Sequence, residues 1–316
     1  MVEIAVAGGS GELAREIIDV LLATKKHEIT ILSRRDAAPE EVIDGTTWQK
    51  VDFHDKDSLV PVLNGVHTVL SFILCRSDVD HRAQKTLIAA CIESGVKRFA
   101  PNEWSTSDVT ASDGYAPKLG MREYLASINA EKKVLEYTLF QPGLFMNYLG
   151  APLKTTNHVS TSKIQFDLEF RRAILVGDVD PPEQQRLTLT SIKDIANVVS
   201  LAIDYEGEWP VVGGMAGETL SVWEVLRIAE KVRGPFTVDK VNLEDLKAGK
   251  INASWTPCFD HPSVKAVEIA EAIPLNLILS NAWGAWVVSD EWNKLLPGYK
   301  FTGVEEFIRE VWSGQP

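Results

Sequence analysis

Hydrophobic and polar positions along the first half of the chain repeat in two rhythms. Val2–Ala7 is an apolar run of strand length, and Gly8-Gly9-Ser10-Gly11 follows at once. Apolar positions then take helical spacing, with Leu13, Ile17, Ile18, Leu21 and Leu22 on one face. Strand-length runs recur at Glu28–Leu32, Trp48–Phe53, His67–Leu74, Lys97–Pro101 and Tyr137–Phe140. Helical segments separate them at Lys56–Leu63, at His81–Ser94 before Gly95, and from near Lys118. Strands alternating with helices predict right-handed crossovers and an α/β fold with a doubly wound parallel sheet, complete by about residue 150.

The second half is less regular. Residues 151–185 read as polar and loop-rich, broken at Pro181-Pro182. Helical spacing returns over Leu189–Ile203 behind a Thr190 or Ser191 cap, and Trp209–Val212 reads as a strand. Thr219-x-Ser221 opens a helix through Val232 that Gly234-Pro235 stops, and Glu305–Trp312 is a terminal helix. The pattern divides the chain into a dinucleotide-binding domain over 1–150 and a smaller, mixed substrate domain over 151–316. Part of 186–213 is expected to return to the first sheet. Five of the nine tryptophans fall from Trp255 onward, either as core of the smaller domain or as lining for a flat organic substrate.

The opening turn carries the first chemistry. Gly9-x-Gly11-x-x-Ala14 sits between a strand and a helix, the Rossmann arrangement that seats a dinucleotide pyrophosphate on a helix N-terminus. Gly8, Ser10, Gly11, Glu12 and Leu13 are the expected contacts. The second strand ends in Ser33-Arg34-Arg35 where NAD sites place a carboxylate. Guanidinium groups grip a ribose 2′-phosphate that a carboxylate repels, so Arg34 and Arg35 point to NADP(H). Asp36 comes one place late for the NAD role.

In such sheets ligands lie beyond the carboxyl ends of the strands. Asp52-Phe53 offers a carboxylate and a ring face to adenine, or is a plain strand-end turn. Ser71-Phe72 passes the ribose and pyrophosphate, or is ordinary core. Asn102-Glu103-Trp104-Ser105 is a polar cluster beside the expected nicotinamide.

Composition narrows the class. A chain of 316 residues with 45% hydrophobic and 24% charged residues is globular and enzyme-sized. A net charge of −12 disfavours nucleic acid and anionic membranes as partners. No apolar run has the length of a membrane helix, and the opening strand leaves no room for a signal peptide. Cys75, Cys91 and Cys258 are scattered, as suits a reducing compartment, and the six histidines lack metal-ligand spacing. The expectation is a cytoplasmic, metal-free monomer or homodimer acting on a small molecule.

In this order the residues resemble a family. Gly8–Gly11, Asp52, Asn64-Gly65-Val66, the run from Lys97 to Glu103, Lys118-x-x-x-Arg122 and Pro142-Gly143-x-Phe145 are similar to the NmrA-like, isoflavone reductase-like group of atypical short-chain dehydrogenases. The wording is closest to fungal members of secondary metabolism. Plant reductases of the group read R-F-x-P-S-E-F-G at strand five, from which Asn102 and Trp104-Ser105 depart. The resemblance implies that Lys118 is catalytic and also bonds the nicotinamide ribose, with Pro142, Gly143 and Phe145 beside the ring. A lysine partly desolvated near a cofactor loses its proton more readily, which suits donation to a developing alkoxide or enolate.

No tyrosine has a lysine four residues later, so the ordinary short-chain dehydrogenase pair is absent; Tyr115 and Lys118 are three apart. No G-x-S-x-G elbow occurs either. The expected activity is NADPH-dependent reduction of an aromatic or polyketide-like metabolite. The alternatives are a non-catalytic NADP(H) sensor acting through a protein partner, and a redox-neutral isomerase or cyclase.

Overall fold

Alternate residues of each central strand face opposite layers of helices. In the computed structural model, which describes residues 1–74, 78–111, 114–261, 264 and 266–315, β1 spans Glu3–Ala7. Its Ile4 and Val6 join one core cluster while Ala5 and Ala7 join another. The chain continues through α1 (Glu12–Thr24), β2 (Glu28–Ser33), β3 (Thr46–Lys50), α2 (Lys56–Val62), β4 (Thr68–Ser71), α3 (Arg82–Ser94), β5 (Arg98–Ala100), α4 (Pro117–Ile128) and β6 (Glu136–Tyr137). These six strands form one parallel sheet in the order β3-β2-β1-β4-β5-β6. Helices α2, α3 and α4 cover the alanine face of β1. The opposite face is covered by α1 and by α5 (Ile192–Asp204).

The expected sixth strand is split. After β6, the run changes partner at Thr138, whose amide still bonds Phe99 O while that of Leu139 bonds Val211 O. Leu139–Gln141, now β7, pairs in parallel with Val212–Gly214. These two strands form a sheet of their own beside the six-stranded one, and the Val212–Gly214 strand starts three residues after the expected Trp209. Trp209 instead fills the core, with its indole N–H on Ala202 O at 2.7 Å. The third strand also starts and stops earlier than Trp48–Phe53, because Asp52 takes the amide of His54 and turns the chain.

The second half builds two small sheets. β8 (Leu144–Phe145), β11 (Arg186–Thr190) and β13 (Glu218–Ser221) form one; β9 (Phe166–Asp167), β10 (Arg172–Val176) and β14 (Thr237–Val241) form the other. Val212–Gly214 is β12 in this order. Residues 151–185 are thus not all loop: Ala173, Ile174 and Leu175 are fully buried in β10. Helices α6 (Val222–Arg233), α7 (Leu243–Lys247), α8 (Val267–Ala282), α9 (Glu291–Leu295) and α10 (Val304–Trp312) complete the chain. Ser221 and Glu224 cap α6 reciprocally, as the Thr219-x-Ser221 signal implied. Helix α8, apolar on most sides, had no amphipathic signature and was not expected. Cys75 lies outside the described residues. No helix among the described residues is long and apolar enough to cross a membrane.

Candidate active site

The glycine turn is tightly packed against the strands beneath it. Gly8 has φ +78°, and a Cβ there would stand 3.3 Å from the backbone of Phe72. A Cβ on Gly9 would stand 2.9 Å from Ile31 Cγ2. The turn closes through Gly11 N–H on Gly8 O at 3.0 Å, which aims the start of α1 over the ends of β1 and β4. Gly11 brings no side chain to the first-turn amides of α1, which have no helical carbonyl behind them. That cradle of bare N–H groups fits a diphosphate.

The Glu12 carboxylate is committed to the second half of the chain. It accepts from the amide and hydroxyl of Ser160 at 2.8 and 3.0 Å, and lies 3.0 Å from His261 Nε2. Glu16 likewise takes the amide of His158 at 2.6 Å. The acidic face of α1 thus holds segment 158–160 across the helix start, and Leu13 packs into the core beneath.

At the end of β2 the two arginines separate. Arg35 makes a double bond-to-bond pairing with Glu41, Nη1 to one oxygen and Nη2 to the other, the second at 2.5 Å. Glu41 also accepts from the amide of Ala38, and its carboxyl is held down at about 2, first by the Arg35 hydrogen bond and next by the Ala38 amide. Arg34 is exposed, and Asp36 is paired outward with Lys50 at 2.8 Å. Asp52 is exposed and Phe53 buried at the adjoining strand end.

The ends of β4 and β5 are tied together. Trp104 has φ +34° and lies flat on Phe72, ring centres 4.7 Å apart, with its indole N–H on Ser71 O at 3.1 Å. The Asn102 amide group donates to Ile73 O at 2.8 Å. Glu103 is buried, and its carboxylate receives Arg122 Nε and Nη2 at 3.1 and 2.5 Å. Lys118, one helical turn before Arg122 on α4, donates from Nζ to Glu103 O and is 8% exposed. Its Nζ also stands 5.3 Å from the centre of the Tyr115 ring.

Asn102, Trp104, Tyr115 and Lys118 open into a cavity of about 370 Å³. Its other walls are Leu144 and Tyr148, Ile164 and Phe259, Asn276 and Ser280 of α8, and Trp286. Burial pushes the Tyr148 phenol well above its usual range. Of the residues expected at the site, Asn102 and Lys118 line this cavity together; Phe72 borders it through Trp104, and Phe145 through its stack on Tyr148. Pro142 and Gly143 do not line it; they directly precede its wall residue Leu144, and Gly143 N–H bonds Ser105 O at 3.0 Å. Arg34, Arg35, Asp52 and Phe53 stand apart, around the end of β2 and the start of α2. Tyr148, Phe259, Asn276 and Trp286 were missed, although the late tryptophans hinted at such a lining.

Residues 2–308 match the model of the NmrA-like family. The chain belongs to that family. Oxidoreductase BOA1 of Botryotinia fuckeliana is 28% identical to this NmrA-like chain, over 74% of this chain and 77% of that protein. Among solved structures, the NADPH-dependent quinone oxidoreductase QOR2 of Escherichia coli, complexed with NADPH, superposes with a TM-score of 0.68 at 20% identity. That match covers 98% of this chain and all of the other. AtPrR2 with NADP+ and (+)-pinoresinol superposes with a TM-score of 0.67 at 19% identity, covering 98% of each chain. Both likenesses are of fold.

Proposed function

We propose that this NmrA-like chain is an NADPH-dependent reductase of a small aromatic or polyketide-like metabolite, with Lys118 as proton donor or acceptor polariser. The observation that carries the reading is the placement of Lys118 in an aromatic-walled cavity at the carboxyl ends of β4 and β5. The glycine cradle, which a single Cβ would fill, supports the cofactor half of the proposal. BOA1 and QOR2 are both oxidoreductases, QOR2 an NADPH-dependent one, and AtPrR2 holds NADP+ and (+)-pinoresinol, which supports the same reaction class.

When bound, reduced nicotinamide supplies the hydride. The chain does the rest. Gly8–Gly11 and the first turn of α1 hold the diphosphate, and Asn102, Pro142, Gly143 and Phe145 border the nicotinamide end. Trp104, stacked on Phe72 and Phe140, helps exclude water, and Tyr148 and Trp286 offer a flat substrate aromatic walls. Lys118 Nζ, anchored on Glu103 O, holds the proton that the acceptor oxygen takes as charge develops. The two-domain division at about residue 150 belongs to this reading, the first part holding cofactor and the second shaping the substrate pocket.

The test follows loss of reduced-nicotinamide absorbance across a panel of quinones, lignan-like and polyketide-like acceptors, with wild type and Lys118→Met. The expected result is turnover on at least one acceptor, reduced about 100-fold or more in the variant while NADPH affinity is retained. Full turnover in Lys118→Met removes Lys118 from the reaction; NADPH binding without consumption on any acceptor turns the reading toward a sensor.

A further inference from the structure

We infer that Arg15, on the first turn of α1, is a ligand for the 2′-phosphate of the cofactor and sets the preference for NADP(H) over NAD(H). The inference rests on the cofactor reading above.

Three observations carry it. The Arg15 side chain is half-buried, and its Nε is shut away from solvent without a hydrogen-bond partner. A secluded guanidinium N–H lacking an acceptor is unfavourable in the free protein, and a ligand oxygen removes the deficit. Second, Arg15 lies where the cofactor's ribose belongs. Its amide bonds the carbonyl of Gly11, so it leaves the helix directly above the glycine turn. Its charge also reaches Glu41 beyond the end of β2. In this fold the adenosine ribose sits between those two places.

Third, one of the two guanidiniums that the sequence points to is engaged. Both terminal nitrogens of Arg35 are taken by the two oxygens of Glu41. The Arg15 side chain makes no hydrogen bond or ion pair among the described residues, and Arg34 is exposed. A phosphate monoester dianion has oxygens for both, whereas the 2′-hydroxyl of NAD(H) brings no charge to either. Glycine motifs give no reason to look at this position, because the residue after the last small residue of the turn has no assigned part in them.

Titration calorimetry with NADPH, NADH and adenosine 2′,5′-bisphosphate on wild type, Arg15→Gln and Arg34→Gln tests the assignment. Arg15→Gln is expected to weaken NADPH and the bisphosphate about 10- to 50-fold and NADH less than about 3-fold. Its melting temperature without ligand stays at or above that of wild type, since a side chain lacking partners is removed. Equal losses for NADPH and NADH, or undiminished binding of the bisphosphate, overturn the inference. If Arg34→Gln alone shows the selective loss, the phosphate is read by Arg34 and Arg15 has no part. Wild type that binds neither dinucleotide overturns the cofactor reading and this inference with it.

Discussion

Arg122 Nη2 lies 2.5 Å from the carboxylate of Glu103, a side chain only 1% exposed. The same guanidinium takes the carbonyls of Thr106 and Ser107 at 3.1 and 2.6 Å. One residue of α4 thus clamps the loop after β5, and Lys118 on the same helix face hydrogen-bonds that loop. Removing one partner of a buried pair strands the other charge. Arg122→Leu is therefore expected to cost roughly 3 kcal/mol, and Glu103→Leu with Arg122→Met to recover most of it. Urea unfolding of the single and double variants checks this; equal destabilisation of both shows that the charge pairing is not what the loop depends on.

Two glycines with nearly the same backbone angle separate conformation from contact. Gly143 and Gly95 have φ of +72° and +74°. A Cβ at Gly95 meets nothing within 4 Å, while one at Gly143 falls 2.5 Å from Thr188 O on β11. Gly95→Ala is expected to cost about 1–2 kcal/mol, the price of the left-handed region alone. Gly143→Ala adds a backbone collision that pushes the turn off β11 and deforms the cavity wall at Leu144. A clear excess loss of melting temperature is expected, with weakened ligand binding only in the second variant; matching losses refute the contact argument.

Glu41 occupies both terminal nitrogens of Arg35, the guanidinium that would otherwise be open to a 2′-phosphate. Glu41→Gln keeps the shape but gives up the charge, and so releases Arg35. NADPH is expected to bind several-fold more tightly to this variant with NADH little changed. Unchanged or weakened NADPH affinity, read by the same titration, means that Glu41 positions Arg35 for the ligand rather than competing with it.

The alternating half of the fold was legible because its signal is local. Strand runs, glycine turns and helix stops lie within a few residues of one another, so β1 through β5 and α1 through α4 follow from patterns such as Gly95 after Ser94. Where an element depends on a distant partner, the pattern misleads. Tyr137–Phe140 reads as one strand, yet it serves β5 at one end and β12 at the other. α8 is hidden for a similar reason: exposed Val267 and Ile269 near its start and buried Ser280 and Asn281 near its end leave no periodic polar face. The site shows the same division. Lys118, Asn102 and the glycine cradle sit in short recognisable strings, whereas Tyr148, Phe259 and Trp286 reach the cavity only through the packing of the second half. The commitment of Arg35 to Glu41, six residues on, leaves no mark in the sequence pattern.

The amino ends of the strands, opposite the cavity, set an acid limit on stability. His27 is buried with Nε2 3.2 Å from Asp204, flanked by Lys26 and the chain's amino terminus; burial pushes its imidazole below the ordinary value, with Asp204 opposing. His67 is lowered by burial and by Arg98, with Glu136 opposing. Both rings are thus more easily protonated in the unfolded chain than in the folded one. The unfolded state takes up the extra protons as pH falls through about 6.5, so stability rises with pH across that window and is lost below it. Glu41, whose carboxyl is depressed instead, loses its contribution only lower, as pH falls below about 4.5 toward about 2. Unfolding free energy is therefore expected to decline between about pH 7 and 5.5, and the decline to flatten in His27→Gln with His67→Gln. An equally steep decline in the double variant assigns the acid sensitivity to other groups.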